Sequence, residues 1–221
     1  MSGRRGGAAV RGLLAELRAL PAWSRGVVSV AVFVVGLLAA TGALDWPGTK
    51  RGGAFVLWVS ALGAAGAWSV VLSIIDVREH RLPNPVLGAA ALSVVPPVFA
   101  AWAWSGEPRH AFFLAGVAVG AALLGASVWA AFSAGEARHR PPPIGAGDVK
   151  LLPIAVIIAG ASSVRDAVEL FPFALAGCIT VAACASVLRG RGQVPIGPAI
   201  LAASWLAPLA GGALRAGTLA G

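Results

Sequence analysis

The segment AFVLWVSALGAAGAWSVVLSIIDVREHRLPN, residues 54–84, decides the fold. Its first 22 residues carry no charge, and a helix of about 20 residues is what the ~30 Å hydrocarbon layer of a bilayer requires. Asp76 ends the run. A short polar turn holding Arg78, Glu79, His80 and Arg81 then leads to Leu82-Pro83-Asn84, where proline forbids a simple continuation of the helix and a second apolar run begins. The segment reads as two membrane spans joined by a charged turn, with a carboxylate at the boundary.

The rest of the chain repeats that pattern. With 58% hydrophobic and 12% charged residues and a mean hydropathy of +0.83, the 221-residue sequence lies outside the range of soluble globular domains. Apolar runs at 27–44, 54–75, 84–105, 110–133, 149–163, 167–188 and 195–213 predict an all-α polytopic membrane helical bundle of about seven transmembrane helices. The runs are continuous rather than alternating, which excludes a β-barrel. The run 149–163 is short, with Pro153 in its first turn, and predicts a tilted or locally thinned crossing. Placing the N-terminus in the cytosol puts 12 of the 17 Lys and Arg residues on that side, as the positive-inside rule requires. Asp76 and Asp148 then both lie at the cytosolic face, and the C-terminus lies outside.

Several function classes drop out. The net charge of +8 is scattered over short loops without aromatic interleaving, so nucleic acid is not an expected partner; the lipid bilayer is. Cys178 and Cys184, six apart in one apolar run, point to different faces, and His80, His110 and His139 fall in separate loops, so no metal site or cofactor is expected. Trp23, Trp46, Trp102 and Trp104, at segment ends, read as interfacial anchors. The first span reads as an anchor rather than a cleaved signal, and residues 5–20 as an amphipathic surface helix held to anionic lipid by arginine.

The chemistry rests on two carboxylates. Asp76 closes one span, whereas Asp148, in Gly145-Ala146-Gly147-Asp148-Val149-Lys150, opens another. Singly, Asp148 fits an ordinary helix N-cap and Asp76 a surface ion pair with Arg78 or Arg81. Together, at one depth and on one side, they can share a water and a proton, because like charges at close range do not both ionise. The helix macrodipoles, negative at the end that carries Asp76 and positive at the end that carries Asp148, place that proton on Asp76.

Three motifs then resemble the type IV prepilin peptidases, membrane aspartic proteases of the GxGD type. They are Asp76 with Leu82-Pro83-Asn84, Gly145-x-Gly147-Asp148-Val149-Lys150-Leu151, and Val194-Pro195-Ile196-Gly197-Pro198. The resemblance covers roughly 54–213 and implies a six-span core with Asp76 and Asp148 as the catalytic dyad. Gly145 and Gly147 would place Asp148, and Pro83, Asn84, Pro195, Gly197 and Pro198 would serve as positioning residues. Lys150 matches the family's usual lysine, either biasing the dyad or anchoring its helix at the phosphate layer.

The implied substrate is a prepilin-like protein of a pilus or secretion system, whose short basic leader is cut at the cytosolic face of the cell's inner (plasma) membrane. Larger members add a cysteine-paired zinc region linked to N-methylation. No CxxC occurs here, so the expectation is a compact form with peptidase and no methyltransferase activity. The expected organisation is a basic cytosolic segment 1–26, an additional anchor 27–53, the core 54–213 and an extracytoplasmic tail 214–221. The loop 134–147, stiff at Pro141-Pro142-Pro143, is either a plain connection or a gate.

The alternative reading is a proton-coupled transporter using the aspartates as carriers, but such sites lie near the midplane of repeated halves, and neither feature is visible. A presenilin-like protease would place its first aspartate beside a tyrosine, and this chain contains none. An inactive scaffold is disfavoured because both aspartates are present.

Overall fold

The computed structural model describes residues 3–44, 46, 52–134, 146–189, 194 and 196–219. Among these residues the structure is helical, with no strand. The helices are α1 (Gly3–Arg18), α2 (Ser24–Thr41), α3 (Gly53–Glu79), α4 (Asn84–Trp104), α5 (Pro108–Ala134), α6 (Ala146–Ala159), α7 (Phe171–Leu188) and α8 (Ile196–Leu219). A single π-helical turn, Asp166–Leu170, runs into α7.

Contacts at the helix ends trace the chain back and forth. Arg78, in the last turn of α3, donates to Ala19 O, just after α1 in the link to α2, at 3.4 Å. At the other end, Trp46 packs on Trp58 and Trp102 with ring centroids 5.2 and 5.7 Å apart, and His110 of α5 stacks on Trp102 at 4.7 Å. Gly125, late in α5, returns to Val149 and Leu152 at the start of α6. Arg215, late in α8, binds Asp166 in the π turn through two hydrogen bonds of 2.9 and 3.2 Å. The bundle therefore has an aspartate end and a tryptophan end.

Six stretches among the described residues are long and apolar enough to cross a membrane: α2, α3, α4, α5, Asp166–Leu188 and α8. Of these, α3, α4 and α8 form the interior, with 44%, 39% and 50% of their most apolar stretch buried, whereas α2, α5 and α7 face outward at 17%, 17% and 11%. The expected span at 149–163 differs in kind. With 14 residues, α6 rises only ~21 Å at ~1.5 Å per residue, too short to cross alone.

Packing resolves the shortfall. Leu151 and Ile154 through Ala159 are buried, and α6 is enclosed by α4, α5 and α8. Its chain continues as irregular backbone over 160–163, where Trp58 Nε1 donates to Ala161 O at 2.9 Å. Non-helical backbone at membrane depth is tolerated where protein surrounds it and supplies its hydrogen bonds. Trp58 stands 18 residues before Asp76, ~27 Å along α3 at ~1.5 Å per residue. The segment from Asp148 to Ala161 thus traverses the bundle between its two ends, as a protein-enclosed crossing.

The tryptophan expectation needs correction. Trp23 and Trp104 are exposed, at 60% and 68%, as anchors would be, but Trp46 and Trp102 are 4% and 1% exposed. They form an aromatic cluster with Phe55 and Trp58 that closes the tryptophan end. The amphipathic helix expected over 5–20 forms as α1, and α8 continues helical to Leu219, beyond the expected end of the last span.

Trp58→Phe keeps most of the ring and removes the donor to Ala161 O, which leaves a buried carbonyl unsatisfied at a cost of about 1–3 kcal/mol. Thermal unfolding in detergent should show a clear fall in Tm; an unchanged Tm would contradict the role given to this hydrogen bond.

Candidate active site

Asp76 sits in the last turn of α3. The helix runs one turn past it and stops at His80, which adopts the left-handed conformation (φ 49°, ψ 35°) and donates its backbone N–H to Asp76 O at 2.8 Å. Leu82 and Pro83 are buried, and Pro83 precedes α4 in extended geometry, so the chain turns tightly and restarts at Asn84. Asp76 is 6% exposed, with its carboxylate held inside the bundle rather than in the polar turn after it.

Asp148 lies in the first turn of α6 and is 9% exposed. Gly147 explains how α6 reaches this place: a Cβ there would stand 2.8 Å from Leu82 Cβ and 3.3 Å from Leu82 N. Only glycine lets the start of α6 approach the Leu82-Pro83-Asn84 turn so closely. The two aspartates, 72 positions apart in sequence, consequently border one cavity of about 320 Å³, lined also by His80, Arg81, Leu82, Asn84, Gly147 and Lys150.

The third motif closes the site from α8. A Cβ on Gly197 would lie 2.8 Å from Asp76 Oδ2, so the first turn of α8 packs directly on that carboxylate. This contact alters the macrodipole argument. Asp76 sits at the C-terminus of its own helix but also faces the N-terminus of α8, whose orphan N–H groups favour negative charge. Asp148 has the N-terminus of α6. The helix dipoles therefore do not assign the proton to Asp76, because sequence position could not show which third helix would point at it.

Lys150 makes a contact that neither expectation named. Its Nζ donates to Asn84 Oδ1 at 2.8 Å, joining the first turn of α6 to the first turn of α4. The bond spans the cavity rim and links the two aspartate motifs directly. Pro198 lies outside the cavity, in a shallow apolar groove with Trp23, Ser73, Ile74 and Trp205. Gly145, Pro195, His139 and most of the loop 134–147 lie outside the described residues. His80 lines the aspartate cavity. Arg81 was not singled out by the motifs; it pairs with Glu79 at 2.7 Å and with Glu16 of α1 at 3.1 Å.

Chemically, two buried carboxylates that border one open cavity are the groups an acid–base pair needs. Double ionisation at close range in a low dielectric is unfavourable, so a singly protonated state combines a base and an acid in one place. Such a pair can activate water against a carbonyl.

A family model described as the type IV leader peptidase family matches residues 63–186, more than half of the chain. The match takes in both aspartates and runs from the middle of α3 nearly to the end of α7, leaving out α1, α2 and α8. No significant match exists among curated proteins or solved structures.

Gly197→Ala forces a methyl group against Asp76 and should cost about 1–3 kcal/mol in unfolding free energy. In an Asp76→Ala background that cost should largely vanish, and an equal cost in both backgrounds would refute the contact. A double-mutant cycle on Lys150→Met and Asn84→Ala should give a coupling of about 1 kcal/mol, read from chemical denaturation; strict additivity would mean that the hydrogen bond contributes nothing.

Proposed function

We propose, from the premise that this chain belongs to the type IV leader peptidase family, that it is a membrane aspartic endopeptidase in which Asp76 and Asp148 are the catalytic pair. The family makes the protein a leader peptidase in general terms. The single observation that carries the finer reading is the meeting of two buried aspartates, from helices remote in sequence, at one cavity built from the family-like motifs.

In the proposed reaction, one carboxylate is ionised and the other protonated. The ionised group removes a proton from water as its oxygen attacks the scissile carbonyl carbon, and the protonated group donates to the carbonyl oxygen. Collapse of the tetrahedral intermediate breaks the C–N bond, the amine leaves with a proton from the first carboxyl, and the second recovers its own. The pair ends with one proton, ready for another turnover. Gly197 and Gly147 set the positions of the two carboxylates, and the Lys150–Asn84 bond ties the helix of Asp148 to the start of α4, just past the turn that follows Asp76.

The substrate class is a prepilin-like protein with a short basic leader before an apolar helix. With that helix in the bilayer, the cleavage point would stand at the level of the aspartate end. Among the described residues Arg11, Arg18, Arg25, Arg78, Arg81, Lys150 and Arg189 lie toward the aspartate end, against Arg109, Arg165 and Arg215 toward the tryptophan end. This asymmetry supports a cytosolic aspartate end. Methyl transfer forms no part of the proposal: Cys178 and Cys184 both sit in α7 and make no CxxC pair.

Asp76→Asn and Asp148→Asn keep side-chain volume while removing the acid–base couple. Each should lower cleavage of a co-expressed prepilin-like precursor at least about 100-fold, judged by the loss of the mature band on a gel. Normal processing by either variant would remove that residue from the catalytic pair.

A further inference from the structure

α1 lies outside the matched family region and carries two different faces. One is seated on the protein. Leu13, Leu17 and Leu20, in α1 and just after it, pack against the core, and Gly12 faces Pro85 at ordinary packing distance, an added Cβ standing 3.6 Å from its ring. On this side Glu16, the only acidic residue of α1, binds Arg81 at 3.1 Å, and Arg81 lines the aspartate cavity. The face away from the protein holds Val10 and Leu14, one turn apart and 57% and 45% exposed. Beside them stand Arg11 and Arg18, seven residues apart and therefore on one face of the helix, both exposed.

An exposed apolar strip flanked by arginines is the arrangement of a helix lying in the membrane interface, with its aliphatic side chains among the acyl chains and its guanidinium groups at the phosphates. The neighbouring geometry agrees. α1 leads directly into α2, whose first residues lie at the aspartate end, where headgroups meet the bundle. With Glu16 occupied by Arg81, the remaining charge of α1 is wholly basic, which complements an anionic surface rather than a zwitterionic one.

We propose that α1 is a docking face for anionic phospholipid and that, through Glu16, it holds Arg81 at the rim of the aspartate cavity. Docking α1 onto the lipid surface fixes one side of the turn that follows Asp76. The lipid half of this inference stands on the helix alone; the coupling to cleavage rests on the peptidase reading given above.

The test uses the full chain with Cys178→Ser and Cys184→Ser, and Val10→Cys carrying an environment-sensitive fluorophore. The protein is placed in nanodiscs of phosphatidylcholine, or of phosphatidylcholine with about one-third phosphatidylglycerol. The anionic discs should shift the probe emission to the blue, and the shift should weaken as salt screens the attraction. Arg11→Gln with Arg18→Gln should abolish it. Cleavage of a prepilin-like precursor should be at least about fivefold faster in the anionic discs, on the scale expected of two arginines near an anionic surface. Glu16→Gln should keep the probe shift but lose the stimulation.

Equal emission in the two discs would overturn the proposal, as would a full shift in the double arginine variant. Inorganic phosphate reproducing the shift in phosphatidylcholine discs would also overturn it, since the ligand would then be a free anion. A probe shift with no precursor cleavage in any lipid would uphold the docking face and defeat the peptidase reading instead.

Discussion

A carboxylate buried at a helix end limits what can pack against it, and the approach of Gly197 to Asp76 is where this chain meets that limit. The first turn of α8 reaches the carboxylate because residue 197 has no side chain. Once α8 is held there, its far end brings Arg215 to Asp166, and the helix packs against α6 and α7. The position of Asp76 and the position of the last helix are one constraint.

Close approach through glycine recurs wherever the bundle needs two elements nearer than side chains allow. Gly147 admits the Leu82 backbone, Gly160 admits Leu114 and Ala167, and Gly211 admits the Asp166 carboxylate. In a membrane the hydrophobic effect does not drive helices together, so packing and interhelical polar contacts carry the association, and small residues make both possible. Lys150 with Asn84 and Trp58 with Ala161 add hydrogen bonds at opposite ends of the short helix α6. That helix, too short to face lipid along a full crossing, is stable because protein surrounds it.

Much of the fold was legible from hydropathy. The limits of the long apolar runs predicted α2 to α5, α7 and α8 to within about four residues, apart from the end of α8, because lipid-facing helices must be apolar over a length set by the bilayer. The same logic misread Trp46 and Trp102: a tryptophan at a segment end looks alike whether it anchors at headgroups or packs inward on a neighbour, and burial separated the two. At the site, the motifs identified Asp76, Asp148, Gly147 and Gly197. They did not indicate that Lys150 would meet Asn84, or that Arg81 would join α1 to the cavity, because both are contacts between segments far apart in the chain.

By itself, then, the sequence determined that the chain is a helical membrane bundle with two carboxylates at segment ends, since local composition and period are enough to specify a span and its boundary. Tertiary structure decided what those carboxylates share. A common cavity depends on which helices cross, how closely glycine lets them pass and which helix terminus points where, and none of these is a property of neighbouring residues along the chain. The fate of α6 was decided in the same way, by the α4, α5 and α8 side chains that enclose it.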